Sequence, residues 1–400
     1  MARIPGPVVP LVPKCSTVLA NDFCTAEHGV MSLKVESRET VAVPGAEPLR
    51  LIDDAGHAVA TSQTGGFTLP APEELMSLYR RMVIARRWDV QVSALTRQGR
   101  LATYPSALGQ EASEIGAVLA LESTDWLFPT YRDSIAVMTR GVAPGEILQA
   151  FRGDWHSAYD PYEHRTMPQA TPLATQALHA VGLGTAAKLR KDPIAALTFV
   201  GDGATSEGDT HEAFNFAGVW QAPVVFLVQN NQFAISVPYS KQTRARALSD
   251  RAIGYGIPGY YVDGNDAAAV YAVASEAMKR ARSGGGPSII ECLTYRIEAH
   301  TNSDDPTRYR GSDEVESWKG RDPIERLEKY LLSEEILGQE DRDSIAAEAE
   351  ELAAATRDAM NAEAVVDPAE LFAHVYGAPR TALDEQQAML EAELAEEEAE

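Results

Sequence analysis

The sequence predicts an α/β fold: a mainly parallel sheet flanked by helices, with an extended N-terminal arm and C-terminal helices. Short apolar runs at 194–200, 224–228, 260–263 and 288–296 read as strands. Helical stretches separate them, with Ala213, Phe216, Ala217 and Trp220 on one face of the first and Val270, Val273, Ala274 and Ala277 on one face of the second. Strands that alternate with helices in this way are joined by crossovers, which makes neighbouring strands parallel.

The remaining chain is organised around that body. Residues 1–71 are rich in proline and glycine, from Pro5, Pro10 and Pro13 to Gly65-Gly66, and predict an extended arm that clasps another surface. Within it, 49–52 and 58–60 flank Asp53-Asp54-Ala55-Gly56-His57, a small hairpin around a glycine-containing turn. From Pro72, residues Leu75, Leu78, Tyr79 and Met82 recur at spacings of three and four, as a core-facing helix requires, so the α/β domain is set at 72–321. A helical segment, 322–380, follows, with Leu327, Leu331, Ile345 and Leu352 as core contacts. The tail, 381–400, carries eight acidic residues and reads as a solvated, fraying helix.

Composition bounds the function. A chain of 400 residues with 45% hydrophobic content can bury a large core. A net charge of -23 argues against non-specific binding to nucleic acid or anionic membrane, since like charges repel. No run approaches the roughly 18 apolar residues of a membrane span, and 1–15 lacks the pattern of a secretory signal, so a cytoplasmic location is expected. Cys15, Cys24 and Cys292 include no C-x-x-C pair and read as free thiols. His156 with His164, and His179 with His211, lack metal-ligand spacing.

The chemistry concentrates at Gly201-Asp202-Gly203, which follows the strand 194–200 and precedes a helix whose start is marked by Thr205 or Ser206. In open parallel sheets, ligands gather at this carboxyl end of the strands. Alone, the triplet also reads as a tight turn with a capping aspartate. After 26 intervening residues, however, Asn230-Asn231-Gln232-Phe233 closes the next strand, so two strand ends converge. The Asp202 carboxylate, the Asn231 amide oxygen and a backbone carbonyl near Phe233 are oxygen donors suited to octahedral Mg²⁺, which takes phosphate oxygens for its other positions. The flanking glycines allow close approach of the backbone to a diphosphate.

This pairing resembles the thiamine-diphosphate motif, and Gly201-Asp202-Gly203-Ala204-Thr205-Ser206-Glu207-Gly208-Asp209 resembles the α chains of the thiamine-diphosphate-dependent 2-oxo acid dehydrogenases. The likeness runs from Leu78 to Tyr376, through Gly109-Gln110-Glu111, Phe128-Pro129-Thr130-Tyr131-Arg132, Pro172-Leu173-Ala174-Thr175-Gln176, Val262-Asp263-Gly264-Asn265-Asp266 and Thr294-Tyr295-Arg296. It implies the thiamine-diphosphate-binding fold, with Mg²⁺ on Asp202, Asn231 and the Phe233 carbonyl. By the same resemblance, Tyr131, Arg132 and His300 contact the diphosphate and Gly201, Gly203 and Ala204 line the cofactor. Thr171 and Leu173 face its aminopyrimidine, and Pro172, Thr175 and Gln176 match a potassium-binding loop. Without the resemblance, Thr171 simply caps a helix beginning at Leu173, whose Ala177, Ala180, Gly182 and Gly184 permit close packing. His300 would then be a surface or satisfied core histidine. The resemblance makes it a catalytic residue beside the thiazolium, handling the acyl intermediate and its transfer to lipoamide. Gln229 stands where mammalian branched-chain relatives have an arginine, and Thr301 where they have a phosphorylated serine.

The implied activity is oxidative decarboxylation of a 2-oxo acid, with the acyl group passed to the lipoyl group of a dihydrolipoyl acyltransferase. Ser303-Asp304-Asp305 followed by Tyr309-Arg310 resembles the branched-chain members, which take acids such as 3-methyl-2-oxobutanoate; pyruvate and acetoin are the alternatives. The glutamate that activates the thiamine lies on a separate β subunit in this family, so the resemblance implies two α and two β chains and no activity for this chain alone. A rival from another class is a non-catalytic nucleotide-binding scaffold, in which Asp202 and Asn231 only close turns.

Overall fold

The computed structural model describes residues 41–153, 159–362, 367–373 and 375–397. Pro5, Pro10, Pro13, Cys15, Cys24 and His156 lie outside the described residues. The strands are β1 (Trp126–Phe128), β2 (Ala196–Gly201), β3 (Val224–Asn230), β4 (Phe233–Ala234), β5 (Val237–Pro238), β6 (Gly259–Asp263) and β7 (Ser288–Leu293). Five of them form one sheet in the order β1-β2-β3-β7-β6, every pairing parallel, while β4 and β5 make a small antiparallel hairpin. The longer helices are α1 (Pro72–Arg97), α2 (Glu111–Val118), α3 (Thr175–Arg190), α4 (Gly208–Trp220), α5 (Ala267–Arg282), α6 (Pro323–Ser333), α7 (Gln339–Asn361) and α8 (Thr381–Glu397).

The central strands are mostly apolar because both faces are covered. Along β2, β3 and β7, Leu197, Phe199, Val225, Leu227, Ile290 and Cys292 join one buried cluster with α1, α2, α5, α6 and α7. Ala196, Val200, Val224, Phe226, Val228 and Ile289 point the other way, into a cluster with α3 and α4. This sandwich leaves only the strand ends open, and those of β2 and β3 lie side by side, Gly201 opposite Gln229.

Several sequence expectations need correction. The strand expected at 288–296 ends at Leu293, and β2 starts two residues later than 194 and runs on to Gly201. The helix after the Gly-Asp-Gly triplet starts at Gly208, because Gly203–Ser206 first makes a single 3₁₀ turn in which the Thr205 hydroxyl donates to the Asp202 carbonyl at 2.6 Å. On α4, Phe216 and Trp220 are exposed; Thr210, Ala213, Phe214 and Ala217 form the buried face instead. The helix expected from Leu173 begins at Thr175, since Ala174 adopts a left-handed conformation with φ 66°. The short buried strand β1 was not anticipated. Val270, Val273, Ala274 and Ala277 are buried as expected, as are Leu75, Leu78, Tyr79 and Met82. Leu327, Leu331 and Ile345 are buried too, whereas Leu352 is only partly so. The acidic α8 buries no residue. Among the described residues, no helix is long and apolar enough to cross a membrane.

The hairpin at 49–60 is present, with Ile52 bridging Ala58 and Gly56 at φ 85° in its turn. It packs on the chain's own body: Leu51 and Ile52 are buried, and both donate their backbone N–H to the Asp266 carboxylate, at 2.7 and 2.8 Å. Leu49 extends the sheet beyond β6, its N–H donating to the Tyr261 carbonyl at 2.8 Å.

One buried acid on α2 is open to test. Glu114 is fully enclosed; burial, then the charges of Asp133, Asp89 and Glu111, push its carboxyl well above the ordinary 4.5, and the Ala136 N–H offsets part of this. A raised carboxyl pKa means that the folded state holds the proton more tightly than the unfolded chain. The resulting destabilisation is absent below pH 4.5 and grows as pH rises. Glu114→Met is therefore expected to stabilise the fold by roughly 1–4 kcal/mol, with the gain in thermal melting larger at pH 8 than at pH 5. A gain independent of pH would contradict this account.

Candidate active site

Ten of the residues singled out in the sequence line one pocket at the ends of β2 and β3: Tyr131, Arg132, Leu173, Gly201, Asp202, Gly203, Ala204, Asn231, Phe233 and His300. Thr171, Pro172, Thr175 and Gln176 do not line it. Thr171 and Pro172 are exposed, and the Gln176 amide donates to the Phe199 carbonyl at 2.8 Å.

In this pocket Asp202 is 2% exposed, and burial raises its carboxyl to about 6 against the pull of a 2.7 Å hydrogen bond from the Gln242 amide. Asn231 follows β3 directly. Gln232 then takes a left-handed turn, φ 73°, that brings Phe233 back over the strand ends. Gly203 has no substitute here, because a Cβ would stand 2.7 Å from that of Ala234 on the returning hairpin. A buried carboxylate short of compensating charge, beside an amide and a backbone carbonyl, is a donor set that fits a hard divalent cation.

The same pocket holds two guanidinium groups that are buried with no ion-pair partner among the described residues. Arg132, in the loop after β1, is 5% exposed and donates to the Ser106 carbonyl at 2.8 Å and the His300 carbonyl at 3.1 Å. Arg296, beyond β7, is 1% exposed and donates to the Ile235 carbonyl at 2.7 Å and the Tyr309 hydroxyl at 2.8 Å. Among the described ion pairs neither arginine appears; Asp304 meets Arg296 only through Tyr309. Arg296 was not singled out from the sequence as a site residue, although its motif was. Nor was Ile235, a pocket residue held at φ 56°, where a β-branched side chain is strained.

The strand end that carries Arg296 is held against the loop before α2. The Ile297 N–H donates to the Leu108 carbonyl at 3.1 Å, and the Thr294 hydroxyl to the Gly109 carbonyl at 2.7 Å. Gly109 sits at φ 96°, where a Cβ would come within 2.3 Å of the Tyr295 carbonyl oxygen. His300 closes the pocket, its N–H anchored on Asp304 at 2.8 Å and its ring edge-on to Tyr131 at 6.0 Å.

The tautomer of His300 follows from its neighbours. Its Nδ1 lies 3.0 Å from an Arg132 nitrogen and 3.5 Å from an Arg296 nitrogen. Guanidinium can only donate, so Nδ1 accepts and the single ring proton resides on Nε2. Burial first, then the charges of Arg132 and Arg296, lower its pKa from 6.5 to about 4.

The comparisons with known proteins agree with this geometry. Residues 79–367 match the family model described as dehydrogenase E1 component. The chain belongs to the dehydrogenase E1 component family. It is 44% identical over 350 residues to the 3-methyl-2-oxobutanoate dehydrogenase subunit alpha of Mycobacterium tuberculosis (strain H37Rv), covering 87% of this chain and 95% of that one. It is 39% identical over 319 residues to the pyruvate dehydrogenase E1 component subunit alpha of Staphylococcus epidermidis (strain RP62A), covering 79% and 85%. For an E1 chain of this kind, membership implies thiamine diphosphate and a 2-oxo acid.

In the cofactor-free E1 chain, His300 is expected to titrate near 4, followed by NMR of labelled histidine. Because the unfolded value is about 6.5, the fold loses stability as pH falls from there toward 4. A midpoint near 6.5 would show that the two arginines do not press on this ring.

Proposed function

We propose that this chain is the α subunit of a branched-chain 2-oxo acid dehydrogenase. It decarboxylates acids such as 3-methyl-2-oxobutanoate and delivers the acyl group to the lipoyl group of a dihydrolipoyl acyltransferase. The observation that carries the reading is that two buried guanidinium groups and a buried carboxylate line one pocket and, among the described residues, none of the three is in a direct ion pair. A diphosphate bearing Mg²⁺ supplies both missing charges at once. The substrate class rests on the Mycobacterium tuberculosis relative, which matches more of the chain, at higher identity, than the pyruvate relative does.

The residues take these roles. Asp202 and Asn231 offer side-chain oxygens, and Phe233 its carbonyl, to Mg²⁺; Arg132 and Arg296 hold the diphosphate, with Tyr131 beside it. Gly201, Gly203 and Ala204 let the backbone approach, and Leu173 gives an apolar wall. Thiamine diphosphate, when bound, supplies the carbanion that attacks the substrate ketone and accepts the electrons released with CO₂. His300 lines the pocket with its ring proton on Nε2, a group that can hold or give a proton at a substrate oxygen. The remaining assignments are a β subunit that carries the activating glutamate, in a tetramer of two α and two β chains, and a potassium ion at Pro172, Thr175 and Gln176.

The test is turnover by this chain co-expressed with its β partner. 3-Methyl-2-oxobutanoate is expected to be decarboxylated faster than pyruvate, and only with thiamine diphosphate and Mg²⁺. Preference for pyruvate would replace the substrate; absence of both turnover and cofactor binding would leave the scaffold reading. In the same assembly, Arg296→Met is expected to weaken cofactor binding roughly tenfold to a hundredfold, as loss of a charge-assisted hydrogen bond implies. Unchanged affinity would remove Arg296 from the site.

A further inference from the structure

We infer that Asp133, Gln229 and Gln110 are positioning residues, a buried relay that fixes the Asn231 amide with its oxygen directed at the cofactor's metal. The inference rests on the reading of Asn231 as a metal ligand. An asparagine amide is almost symmetrical in shape, so packing alone does not decide which end faces a cation. If the NH₂ faces the metal, coordination is lost. Something must set the polarity.

The hydrogen bonds lead back to one charge. Asp133, fully buried in the loop after β1, accepts the Thr130 N–H at 2.5 Å and the Gln229 Nε2 at 2.6 Å. A carboxylate only accepts, so Gln229 must present its NH₂ there and turn its Oε1 away. That oxygen receives Nε2 of Gln110. Gln110 is thereby left with its Oε1 facing Asn231, whose Nδ2 donates to it at 2.9 Å. Asn231 consequently turns Oδ1 to the opposite side, where the only described donor is the Phe233 N–H at 3.2 Å.

Each link forces the next. Flipping one amide would bring two oxygens or two NH₂ groups together in a buried place, at about 1–3 kcal/mol. Flipping all three would set the Gln229 oxygen against the Asp133 carboxylate. All four side chains are buried, with Gln110, Gln229 and Asn231 at 1, 3 and 7% exposed, so water cannot relieve either conflict. The relay also gives Gln229 a function of its own. It stands where mammalian branched-chain relatives have an arginine, and as an amide it can both donate to Asp133 and accept from Gln110.

The test moves the charge. At pH 8, where the Asp133 carboxyl, raised by burial to about 6, is ionised, Mg²⁺ is titrated into the α–β assembly with thiamine diphosphate present. Cofactor binding is followed by calorimetry and does not require turnover. Asp133→Asn keeps an oxygen on the Thr130 N–H and so presents its NH₂ to Gln229, which reverses the relay; it is expected to raise half-saturating Mg²⁺ roughly 10–100-fold, as loss of an outer-shell partner does. Adding Gln110→Glu to Asp133→Asn restores a single carboxylate. The acid introduced at position 110 accepts from both Asn231 and Gln229, and the amide introduced at position 133 donates to the freed Gln229 oxygen. This double variant is expected to return to within about threefold of the parent. A purely structural role would not be rescued by a charge at a different position. Gln229→Met, which keeps the volume but severs the relay, is expected to match Asp133→Asn and serves if that variant does not fold. An unchanged Mg²⁺ requirement in the folded single variants, or a double variant no better than Asp133→Asn, would overturn the relay alone. Failure of the parent assembly to bind the cofactor in a Mg²⁺-dependent way would overturn the functional reading and the relay with it.

Discussion

Charge buried without its counter-charge is the constraint from which the site follows. A guanidinium enclosed by protein normally sits against a carboxylate, because desolvation of an isolated charge is costly. Arg132 and Arg296 instead rest on carbonyls and a hydroxyl, close enough that each depresses the pKa of the histidine between them. Arg132 also lowers the pKa of Arg296 itself, after burial. Such an arrangement persists only if the surrounding structure imposes it. Here the Gly109 loop clamps the segment after β7, and the two apolar clusters fix the strands that carry both ends.

The periphery solves the same problem in the ordinary way. Arg326 on α6 is 2% exposed and pairs with Asp263 at the end of β6 at 3.1 Å, and with Asp54 of the N-terminal hairpin. Arg50 reaches the same Asp263 at 2.7 Å. Two arginines and two aspartates thus staple the hairpin, the sheet edge and a C-terminal helix together, with Gly56 needed where a Cβ would collide with Lys329. In this staple each arginine meets an acid directly. At the pocket the acids are engaged elsewhere, Asp304 behind a tyrosine, Asp133 on the Thr130 N–H and the Gln229 amide, and Asp202 on the Gln242 amide, which leaves room for a ligand of mixed charge.

Much of this was legible in the sequence, for physical reasons that also mark where it stopped. The runs around Val224 and Ser288 are readable because strands buried on both faces are mostly apolar, and Gly201-Asp202-Gly203 because the return of Ala234 excludes a side chain. The face of α4 was not readable: Ala213 and Ala217 fit a stripe with Phe216 and Trp220 as well as one with Thr210 and Phe214, and only packing on Phe226 decides. β1 is three residues long, too short to show a period. Ile235 owes its place to a left-handed backbone that a β-branched residue does not advertise, and its carbonyl is held there by Arg296. Gln110 and Gln229 are 119 positions apart, and no local pattern signals that their amides meet.

His300 shows how binding and proton handling are tied by the same charges. Of the causes that lower its pKa, burial belongs to the fold, but the next two belong to Arg132 and Arg296. An anion seated on those arginines cancels most of their field at the ring and draws their N–H groups toward itself, away from Nδ1. A diphosphate bound there would therefore raise the basicity of His300. Asp304, whose own carboxyl stays low with Tyr309 and the His300 N–H as donors, favours the imidazolium in the same state. The two arginines thus keep this histidine neutral and proton-poor, and an anion bound to them would bring it toward the range in which a proton can be both taken and returned. The like charges that are costly to bury together would then couple acid–base competence to anion binding.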